Sequence, residues 1–454
     1  MNILFILTDK AYIRNYFDTN IIKYLQSKHS IKFLKRENID FDKSNNFNFE
    51  NYNVDKNRKI KTIFFDLLIN RYKYKSSYFK FRLKRFYRFD FRFLGELCDQ
   101  KNQTRNIINK FFKLNIIFKN FFIFCVISFL SSKIFFPLIN FFFKNFINLN
   151  SSFEQKIISS NCDLLLVPTS GYSSEIYDIL RISKKYNIKV NFLIDNWDNL
   201  SSKMIFFEQP NKLFVWGEQT AIHAQKIHNI PRDNIIEIGS ARYSDFFKER
   251  NKELKSHFDF NYILFLGSSW SWNEEEVLDR IDNIIESNKD IFVNTKVIYR
   301  YHPFRQRKNR SNLNWKNIIV DPQLLKLEKN QKRDWPDINY YPSLIQNCEF
   351  AVGGFTTMLL EVTIFYKKFI GIGFDDNKSL MNQKNALAFF EHLKEIKKLS
   401  NLSICTNQNS LESMMIEKKK SSKILNKDII DSEREYFLTY NKEKSYQEIL
   451  VENL

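Results

Sequence analysis

Two glycines followed by two threonines, set between an apolar run and a helical pattern, form the segment of this sequence best suited to chemistry. Residues 350–361 read Phe-Ala-Val-Gly-Gly-Phe-Thr-Thr-Met-Leu-Leu-Glu. Gly353 and Gly354 permit a tight turn and a close approach of the backbone to a ligand. Thr356 and Thr357 stand where a helix begins, and the N–H groups and dipole of a helix start attract anions. The segment predicts a phosphate site, with an ordinary threonine-capped turn as the alternative.

Glu361 extends this candidate site. It follows Thr357 by four residues, so both side chains lie on one face of the predicted helix. A nucleotide lying across the helix end would bring a ribose hydroxyl within reach of the Glu361 carboxylate.

Further polar residues stand at the ends of other predicted strands. Arg300 and His302 end one strand, and Gly267, Ser268 and Ser269 end another. Open α/β sheets bind ligands at the carboxyl ends of their strands. Together with the threonine pair, these residues predict several converging donors for a diphosphate.

The strands and helices that position these residues are predicted from alternating apolar runs and helical patterns. In the first half they predict strands over 3–7, 31–34, 163–167, 189–194, 212–216 and 234–238, and helices over 13–25, 174–186 and 218–228. In the second half they predict strands over 262–266 and 296–300, at Phe350 and over 369–373, and a helix over 273–288. Strands and helices that alternate at this spacing indicate an α/β protein with parallel sheets.

The length of 454 residues exceeds one ordinary core and indicates two domains of roughly 200 residues each. A charged stretch without apolar periodicity, near 248–259, predicts the hinge. We therefore expect a first domain over 1–250, a second over 251–430, and a terminal helix over 431–454.

The formal charge of +19 indicates a polyanionic neighbour, namely nucleic acid, an anionic membrane face or a phosphorylated substrate. A drift of composition toward Lys, Asn, Ile and Phe is the alternative explanation. The hydrophobic content of 44% and aromatic content of 16% exclude widespread disorder.

The five cysteines lie far apart and form no C-x-x-C pair, which excludes a disulfide framework and a zinc knuckle. Residues 2–7 are too short a run for a secretory signal and predict a first strand. The uncharged run 120–132 falls short of the roughly 20 residues that cross a bilayer. These features predict a protein of the reducing cytosol.

A different composition, rich in phenylalanine and lysine, occupies residues 52–150. Residues 71–92 carry nine Lys or Arg against one Asp, and residues 111–146 are packed with Phe and interrupted by Lys. Cationic apolar helices of this kind can lie in the headgroup layer of an anionic membrane. The alternative is a helical subdomain that packs on the protein's own core.

The second half resembles the donor domain of GT-B glycosyltransferases, particularly bacterial surface-polysaccharide enzymes and the related CDP-glycerol glycerophosphotransferases. The marks are the Gly-Ser-Ser turn at 267–269, the His-Pro pair at 302–303, and Gly-Gly-Phe-Thr-Thr with Glu361. In the first half, the stretches 195–203, 213–220, 228–231 and 238–240 are similar to a pattern in the same proteins. The resemblance covers roughly residues 160–380 and leaves out the Phe-rich insert.

This resemblance implies two Rossmann-like domains that face a cleft, with the nucleotide on the second domain and the acceptor entering from the first. It implies a glycosyltransferase that needs neither a metal nor a cofactor beyond its nucleotide-activated sugar, and a surface-glycan or lipid-linked acceptor. His302, Thr356 and Thr357 would contact the donor phosphate, and Glu361 the ribose. No nucleic acid is expected as a partner.

Transfer also requires a general base that takes a proton from the acceptor hydroxyl. Asp195 and Asp198, at a strand end facing the cleft, are candidates, and Asp9 after the first strand is a third. Trp197 is a candidate platform for the acceptor, with a buried aromatic as the alternative. Asn199, in the same segment, is a further candidate acceptor contact.

Several alternatives stay open. The His-Pro pair followed by hydroxyl residues also resembles sialyl- and Kdo-transferases that use CMP-sugars, but their acidic pair before a glycine is absent, so a CDP, CMP or UDP donor is not resolved. Glycerophosphate transfer and sugar-nucleotide epimerisation are alternative reactions. In a different class, residues 71–92 predict a single-strand nucleic-acid surface, which would leave the motifs of the second half unexplained.

Overall fold

The computed structural model describes residues 1–40, 47–81, 122–169, 173–203, 205–269, 272–303, 314–329, 336–374, 382–421 and 424–454. In these ranges the chain forms two β-sheets flanked by helices, and every strand pair within them is parallel. We call each sheet with its flanking helices a lobe, the first and the second. The α/β class with two parallel sheets, predicted from the alternating pattern, is confirmed.

The first sheet has seven strands in the order β3-β2-β1-β4-β5-β6-β7. Their bounds are β1 Asn2–Leu7, β2 Ser30–Arg36, β3 Phe49–Tyr52, β4 Leu164–Thr169, β5 Lys189–Ile194, β6 Lys212–Val215 and β7 Ile235–Glu237. The described helices that flank it are Ala11–Tyr16, Ile21–Lys28, Arg58–Arg71, Phe136–Phe146, Ser151–Ser160, Glu175–Tyr186, Asn199–Ser202, Glu218–His228 and Ser244–Glu249. The strand order reverses between β1 and β4, so a crevice opens at their carboxyl ends.

The second sheet repeats this order with six strands, β10-β9-β8-β11-β12-β13. Their bounds are β8 Asn261–Leu266, β9 Thr295–Arg300, β10 Ile318–Val320, β11 Ala351–Gly353, β12 Phe369–Ile372 and β13 Leu402–Cys405. The described helices from here to the end of the chain are Glu274–Ser287, Pro322–Lys329, Tyr341–Gln346, Met358–Ile364, Gln383–Phe389, Leu411–Lys420, Lys427–Glu435 and Tyr446–Glu452. Here the order reverses between β8 and β11, which carry the Gly-Ser-Ser and Gly-Gly segments.

The strands that sequence reasoning missed are β3, β10 and β13. Each lies at an edge of its sheet and has three or four residues. Edge strands are covered less than central ones, so their sequences need fewer apolar residues and give a weak pattern. The central strands were predicted to within two residues at each end.

The helix predicted over 13–25 is in fact two helices, Ala11–Tyr16 and Ile21–Lys28. The hydroxyl of Thr19 donates to the carbonyls of Asn15 and Tyr16, at 3.2 and 3.1 Å. A side chain that binds helix carbonyls competes with the next helical turn, which explains the break.

The single helix predicted over 431–454 is likewise two, Lys427–Glu435 and Tyr446–Glu452. Between them the backbone pairs with the first lobe, because Thr439 N–H donates to the carbonyl of Trp216 at 2.7 Å. The final helix then buries Tyr446 and Leu450 in the core of the first lobe. The chain therefore finishes on the lobe where it started. The proposed domain boundary at 250 falls between β7 and β8 and stays a prediction.

Alternation along the central strands fills a core on each side of each sheet. In β1, Leu4 and Ile6 face one side, and Phe5 and Leu7 face the other. A cluster on the second sheet also includes Trp216 and other aromatic residues of the first lobe. The two lobes thus share apolar contact.

The described part of the insert has two faces. Phe64 and Phe143 stack with ring centroids 4.6 Å apart in the core of the first lobe. The opposite side of the helix Phe136–Phe146 exposes Leu138 and Phe141 at 64% and 59%. Residues 82–121 of the predicted insert, including half of the cationic stripe 71–92, lie outside the described residues. No helix among the described residues has the length and hydropathy to span a membrane.

Lys61 attaches the insert helix Arg58–Arg71 to the first lobe through a buried ion pair. Its side chain is 0% exposed, and its Nζ lies 2.6 Å from Asp178 Oδ1 and 2.5 Å from Asp55 Oδ2. Asp178 belongs to the helix Glu175–Tyr186 that covers the sheet. Both carboxylates depend on this one ammonium for a buried counter-charge.

We expect Lys61→Met to lower the free energy of unfolding by about 3–5 kcal/mol, because it leaves buried carboxylates without their counter-charge. Urea unfolding followed by circular dichroism measures the change. Lys59→Met, at an exposed position of the same helix, is the matched control and should change stability by about 0.5 kcal/mol or less. Equal stability of the two variants would contradict the anchoring role.

Candidate functional site

A cavity of about 340 Å³ lies between the two lobes. This volume is within the range of small-molecule sites. Among the residues that line it are these predicted site residues: Asp195, Trp197, Asp198, Asn199, Gly267, Ser268, Ser269, Arg300, His302, Thr356, Thr357 and Glu361. The fold brings four separate segments together at the carboxyl ends of parallel strands. The chemical roles of these residues stay predictions.

The turn after β8 forms part of the second lobe's wall. A Cβ atom on Gly267 would lie 2.8 Å from the Cα of Tyr301, so only glycine fits here. Ser268 is buried; its N–H donates to Glu274 Oε1 and its hydroxyl accepts from Trp272 Nε1, both at 2.7 Å. Ser269 is the exposed member of the serine pair.

Arg300 and His302 follow from β9. Arg300 is 5% exposed, and its Nη2 donates to the hydroxyl of Tyr341 at 2.9 Å. This contact holds the guanidinium at the edge of the cavity. His302 is partly buried and lines the same cavity as Thr356 and Thr357, as the diphosphate hypothesis requires.

Gly353 and Gly354 were predicted to approach a ligand, but they do not line the cavity. Gly353 has φ +153°, and a Cβ there would lie 2.3 Å from the carbonyl oxygen of Leu266. At Gly354 a Cβ would meet Nε2 of Gln383 at 2.5 Å. The two glycines therefore allow close packing within the second lobe, and their contact with a ligand stays a prediction.

The two threonine hydroxyls have different partners. Thr356 Oγ1 accepts from the N–H of Met358 at 3.3 Å and so caps the start of the helix Met358–Ile364. Thr357 Oγ1 donates to Asn196 Oδ1 of the first lobe at 3.1 Å. One hydroxyl therefore orders the helix start and the other bridges the lobes.

Glu361 forms a second bridge between the lobes. Its side chain is largely buried, and Oε1 accepts from the hydroxyl of Tyr243 at 2.7 Å. Arg242 Nη2 lies 3.7 Å from the same oxygen. Arg242 and Tyr243 belong to the 3-10 turn Ala241–Tyr243 that follows β7. A carboxylate of the second lobe is thus bound by two groups of the first, and its contact with a ribose stays a prediction.

Asp195 is the first residue after β5 and faces the cavity from the first lobe. Asn15 Nδ2 donates to its Oδ1 at 2.5 Å. Burial raises the pKa of Asp195 to about 6, although Arg242, the hydrogen bond from Asn15 and Arg14 act in the opposite direction. A carboxylate that titrates near neutral pH suits a general base.

Asp198 has a different environment. It accepts from the hydroxyl of Ser202 at 2.9 Å and lies 3.7 Å from Lys203 Nζ. Burial alone would raise its pKa, but Lys203, His392 and Ser202 outweigh burial and lower the pKa. A carboxylate held in its ionised form is the weaker base of the two.

Trp197 and Asn199 line the cavity but are largely buried, and their contact with an acceptor stays a prediction. Trp197 is 2% exposed and packs against His392 in a T-shaped arrangement, with ring centroids 4.9 Å apart. Asn199 is buried; its Oδ1 accepts from the N–H of Asn196 at 2.8 Å and its Nδ2 donates to Asp198 at 3.2 Å. Both residues shape the loop that carries Asp195 and Asp198.

Asp9 lies outside the cavity lining. Its Oδ1 accepts from the N–H of Ala11 at 2.9 Å, where the first helix begins. This bond forms an Asx turn before the first helix, and the role of Asp9 as the base stays a prediction.

Sequence reasoning missed several lining residues, which are Arg14, Arg242, Tyr341 and His392. Burial lowers the pKa of His392 to about 4, so the ring is neutral at pH 7. Arg300 was selected because ligands bind near the carboxyl ends of strands. The same rule, applied to the segments after β1 and β7, would have found Arg14 and Arg242.

Among the described residues, no group of three or more His, Cys, Asp or Glu side chains is arranged to hold a metal ion. The pair at 375–376, which sequence reasoning assigned to a loop rather than a metal site, lies outside the described residues. The four described cysteines are free thiols.

Comparison with solved structures identifies the fold. A putative UDP-N-acetylglucosamine 2-epimerase from Listeria monocytogenes is 11% identical, with a TM-score of 0.51 over 99% of this chain and 94% of that chain. The UDP-GlcNAc 2-epimerase from Methanocaldococcus jannaschii is 12% identical, with a TM-score of 0.47 over 99% of each chain. The wall teichoic acid polymerase TagF with CDPG is 10% identical, with a TM-score of 0.46 over 100% of this chain and 86% of that chain.

The likeness at a TM-score of 0.51 shows the fold alone, because the identity is so low. It confirms the predicted GT-B architecture of two Rossmann-like domains. No family model matches the chain, and no curated protein does.

Proposed function

We propose that this protein is a glycosyltransferase that moves a sugar from a nucleotide-activated donor to a hydroxyl of a surface-glycan or lipid-linked acceptor. The observation that carries the proposal is the composition of the cavity between the lobes. The second lobe contributes cationic and hydroxyl side chains, and the first contributes a carboxylate that titrates near neutral pH. The cationic and hydroxyl side chains suit a donor diphosphate, and the carboxylate suits an acceptor hydroxyl that must lose a proton.

The donor diphosphate would lie against the second lobe. Arg300 supplies a fixed positive charge, and Ser269 and His302 supply donors from the two neighbouring strand ends. Thr356 and Thr357 complete this wall from the start of the next helix. Charge-assisted hydrogen bonds stabilise the negative charge that grows on a leaving diphosphate. Glu361 would contact the ribose with the part of its carboxylate not bound by Tyr243.

The reaction would use Asp195 as its general base. Its carboxylate takes the proton from the acceptor hydroxyl, and the oxygen then forms a bond to the anomeric carbon. The bond from that carbon to the phosphate oxygen breaks, and its electron pair leaves with the nucleoside diphosphate. A base with a pKa near the working pH is ionised yet still basic enough to accept the proton.

The product separates this reaction from the alternatives. Transfer of the sugar from a nucleoside-diphosphate sugar, or hydrolysis of that donor, breaks a carbon–oxygen bond and releases a nucleoside diphosphate. Glycerophosphate transfer from CDP-glycerol breaks the pyrophosphate and releases CMP. Epimerisation leaves an altered sugar, and it needs groups that remove and return a proton. Hydrogen bonds already hold the carboxylates of Asp198 and Glu361. Asp195 is therefore the carboxylate best placed to act as the general base, which favours sugar transfer.

A membrane-bound acceptor would suit the insert. Among the exposed apolar side chains of its described part are Phe122, Phe129, Ile134, Leu138, Phe141, Phe142 and Phe146. Residues 122–150 contain Lys133 and Lys144 and no Asp or Glu, and Lys144 pairs with Glu208 at 2.8 Å. Phenylalanines in the acyl boundary with lysines on lipid phosphate form a typical peripheral anchor. Tyr78, from the same insert, lines the cavity.

Donor binding is tested by thermal shift with UDP, CDP, GDP and CMP at millimolar concentration. We expect at least one to stabilise the protein, and His302→Ala to weaken that ligand about 10-fold or more because a phosphate donor is lost. His29→Ala, at a residue that does not line the cavity, is the control. The proposal fails if none of the four nucleotides raises the melting temperature.

The base is tested by the pH dependence of nucleoside diphosphate release from a panel of nucleotide sugars. With Asp195 as base, kcat/KM falls tenfold per pH unit below about 6, because protonation removes the active form. Asp195→Asn should lower kcat by about 10²- to 10⁴-fold. Asp245→Asn, at a partly exposed position that does not line the cavity, should keep the wild-type profile. An unchanged acidic limb in Asp195→Asn would exclude this residue as the base.

Membrane contact is tested by flotation with vesicles of phosphatidylglycerol and phosphatidylcholine. We expect binding to the anionic vesicles, and loss of binding in Leu138→Asp/Phe142→Asp, since charged side chains are costly to bury in lipid. The matched control, Val293→Asp/Ile424→Asp, alters side chains of similar exposure elsewhere and should bind normally. Equal recovery of both variants with the vesicles would contradict an anchor at this face.

A further inference from the structure

Two arginines of the first lobe remain outside the donor site proposed above. Arg14 lies on the helix Ala11–Tyr16 after β1, and Arg242 lies on the turn after β7. Both line the cavity, and both interact electrostatically with Asp195. The fold has therefore placed two guanidinium groups beside the proposed base, on the acceptor's side.

Arg242 retains hydrogen-bonding capacity. Its side chain is 10% exposed; Nη2 contacts the hydroxyl of Tyr243 and lies 3.7 Å from Glu361. Within the described part of the chain, its Nε is buried and has no hydrogen-bond partner. A buried N–H without an acceptor is costly, so a polar group that enters the cavity would gain by accepting from it.

The two guanidiniums also repel each other. Burial and the neighbouring charge of Arg242 lower the pKa of Arg14 to about 10, although Tyr341 and Glu361 act in the opposite direction. Asp195 and Glu361 offset part of this positive charge. An additional anion between the arginines would relieve the repulsion that remains.

We propose that Arg14 and Arg242 bind a phosphate group of the acceptor, next to Asp195 and separate from the donor diphosphate. The proposal rests on the proposed function and names the chemical class of its acceptor, a phosphorylated sugar, polyol or phosphodiester polymer. A phosphate presents several acceptor oxygens and can bind two guanidiniums at once. Held there, it would direct a nearby acceptor hydroxyl toward the Asp195 carboxylate.

Glycerol 3-phosphate is a suitable probe, and glycerol, which lacks the phosphate group, is the matched control. The protein is first saturated with the nucleotide that stabilises it best, so that the donor site is filled. Titration calorimetry should then show binding of glycerol 3-phosphate and none of glycerol. Arg14→Gln should weaken the phosphate about 10- to 100-fold while nucleotide affinity stays within about twofold. Arg14→Lys, which keeps the charge, should restore part of the loss.

Lys184→Gln removes an exposed cation of the first lobe whose side chain is 71% exposed, and it should bind the probe as the wild type does. Unchanged phosphate affinity in Arg14→Gln overturns the proposal. So does a loss of nucleotide affinity in that variant, because the arginine would then serve the donor. If no nucleotide binds, the donor site fails on its own, and titration of the nucleotide-free wild type and Arg14→Gln still decides the arginine site.

Discussion

Parallel pairing of the strands is the constraint on which the rest of this structure depends. All strands of a parallel sheet point in the same direction. The loops that follow their carboxyl ends therefore all lie at the same edge of the sheet. Both sheets here reverse their strand order once, and the cavity forms where the carboxyl-end edges face each other. Residues more than a hundred positions apart, such as Asp195 and His302, meet for this reason. The predicted site residues thus lie at the carboxyl ends of the strands and in the loops and helices that follow them.

The contacts between the lobes use the same side chains that line the cavity. Thr357 reaches Asn196, and Glu361 accepts from Tyr243. These bonds hold polar groups that would otherwise be buried without partners, and they act together with the apolar cluster that the two lobes share. They also separate the carboxylates by role. Those that bridge the lobes or shape loops are held by hydrogen bonds, and Asp195 keeps a pKa near neutrality because burial outweighs its cationic neighbours.

The insert combines two patterns in one sequence. Phenylalanines at helical spacing meet the first lobe on one side and solvent on the other, so Phe143 is buried and its neighbour Phe142 is 48% exposed. Lys61 fixes the inner side through its ion pair with Asp178. An apolar outer face with cations and no acids fits a negatively charged surface, which connects the high charge of the chain to a location beside its proposed acceptor.

The sequence by itself determined the α/β class, the central strands and the segments that form the cavity, because apolar periodicity and strand-end position are local signals. It could not determine the function of Gly353, since a glycine that packs against Leu266 and one that meets a ligand look alike in sequence. Nor could it separate Asp195 from Asp198. Burial, hydrogen bonding and neighbouring charge determine the pKa of a side chain and which of its polar atoms remain unbonded. All three depend on residues that only the tertiary structure brings into contact.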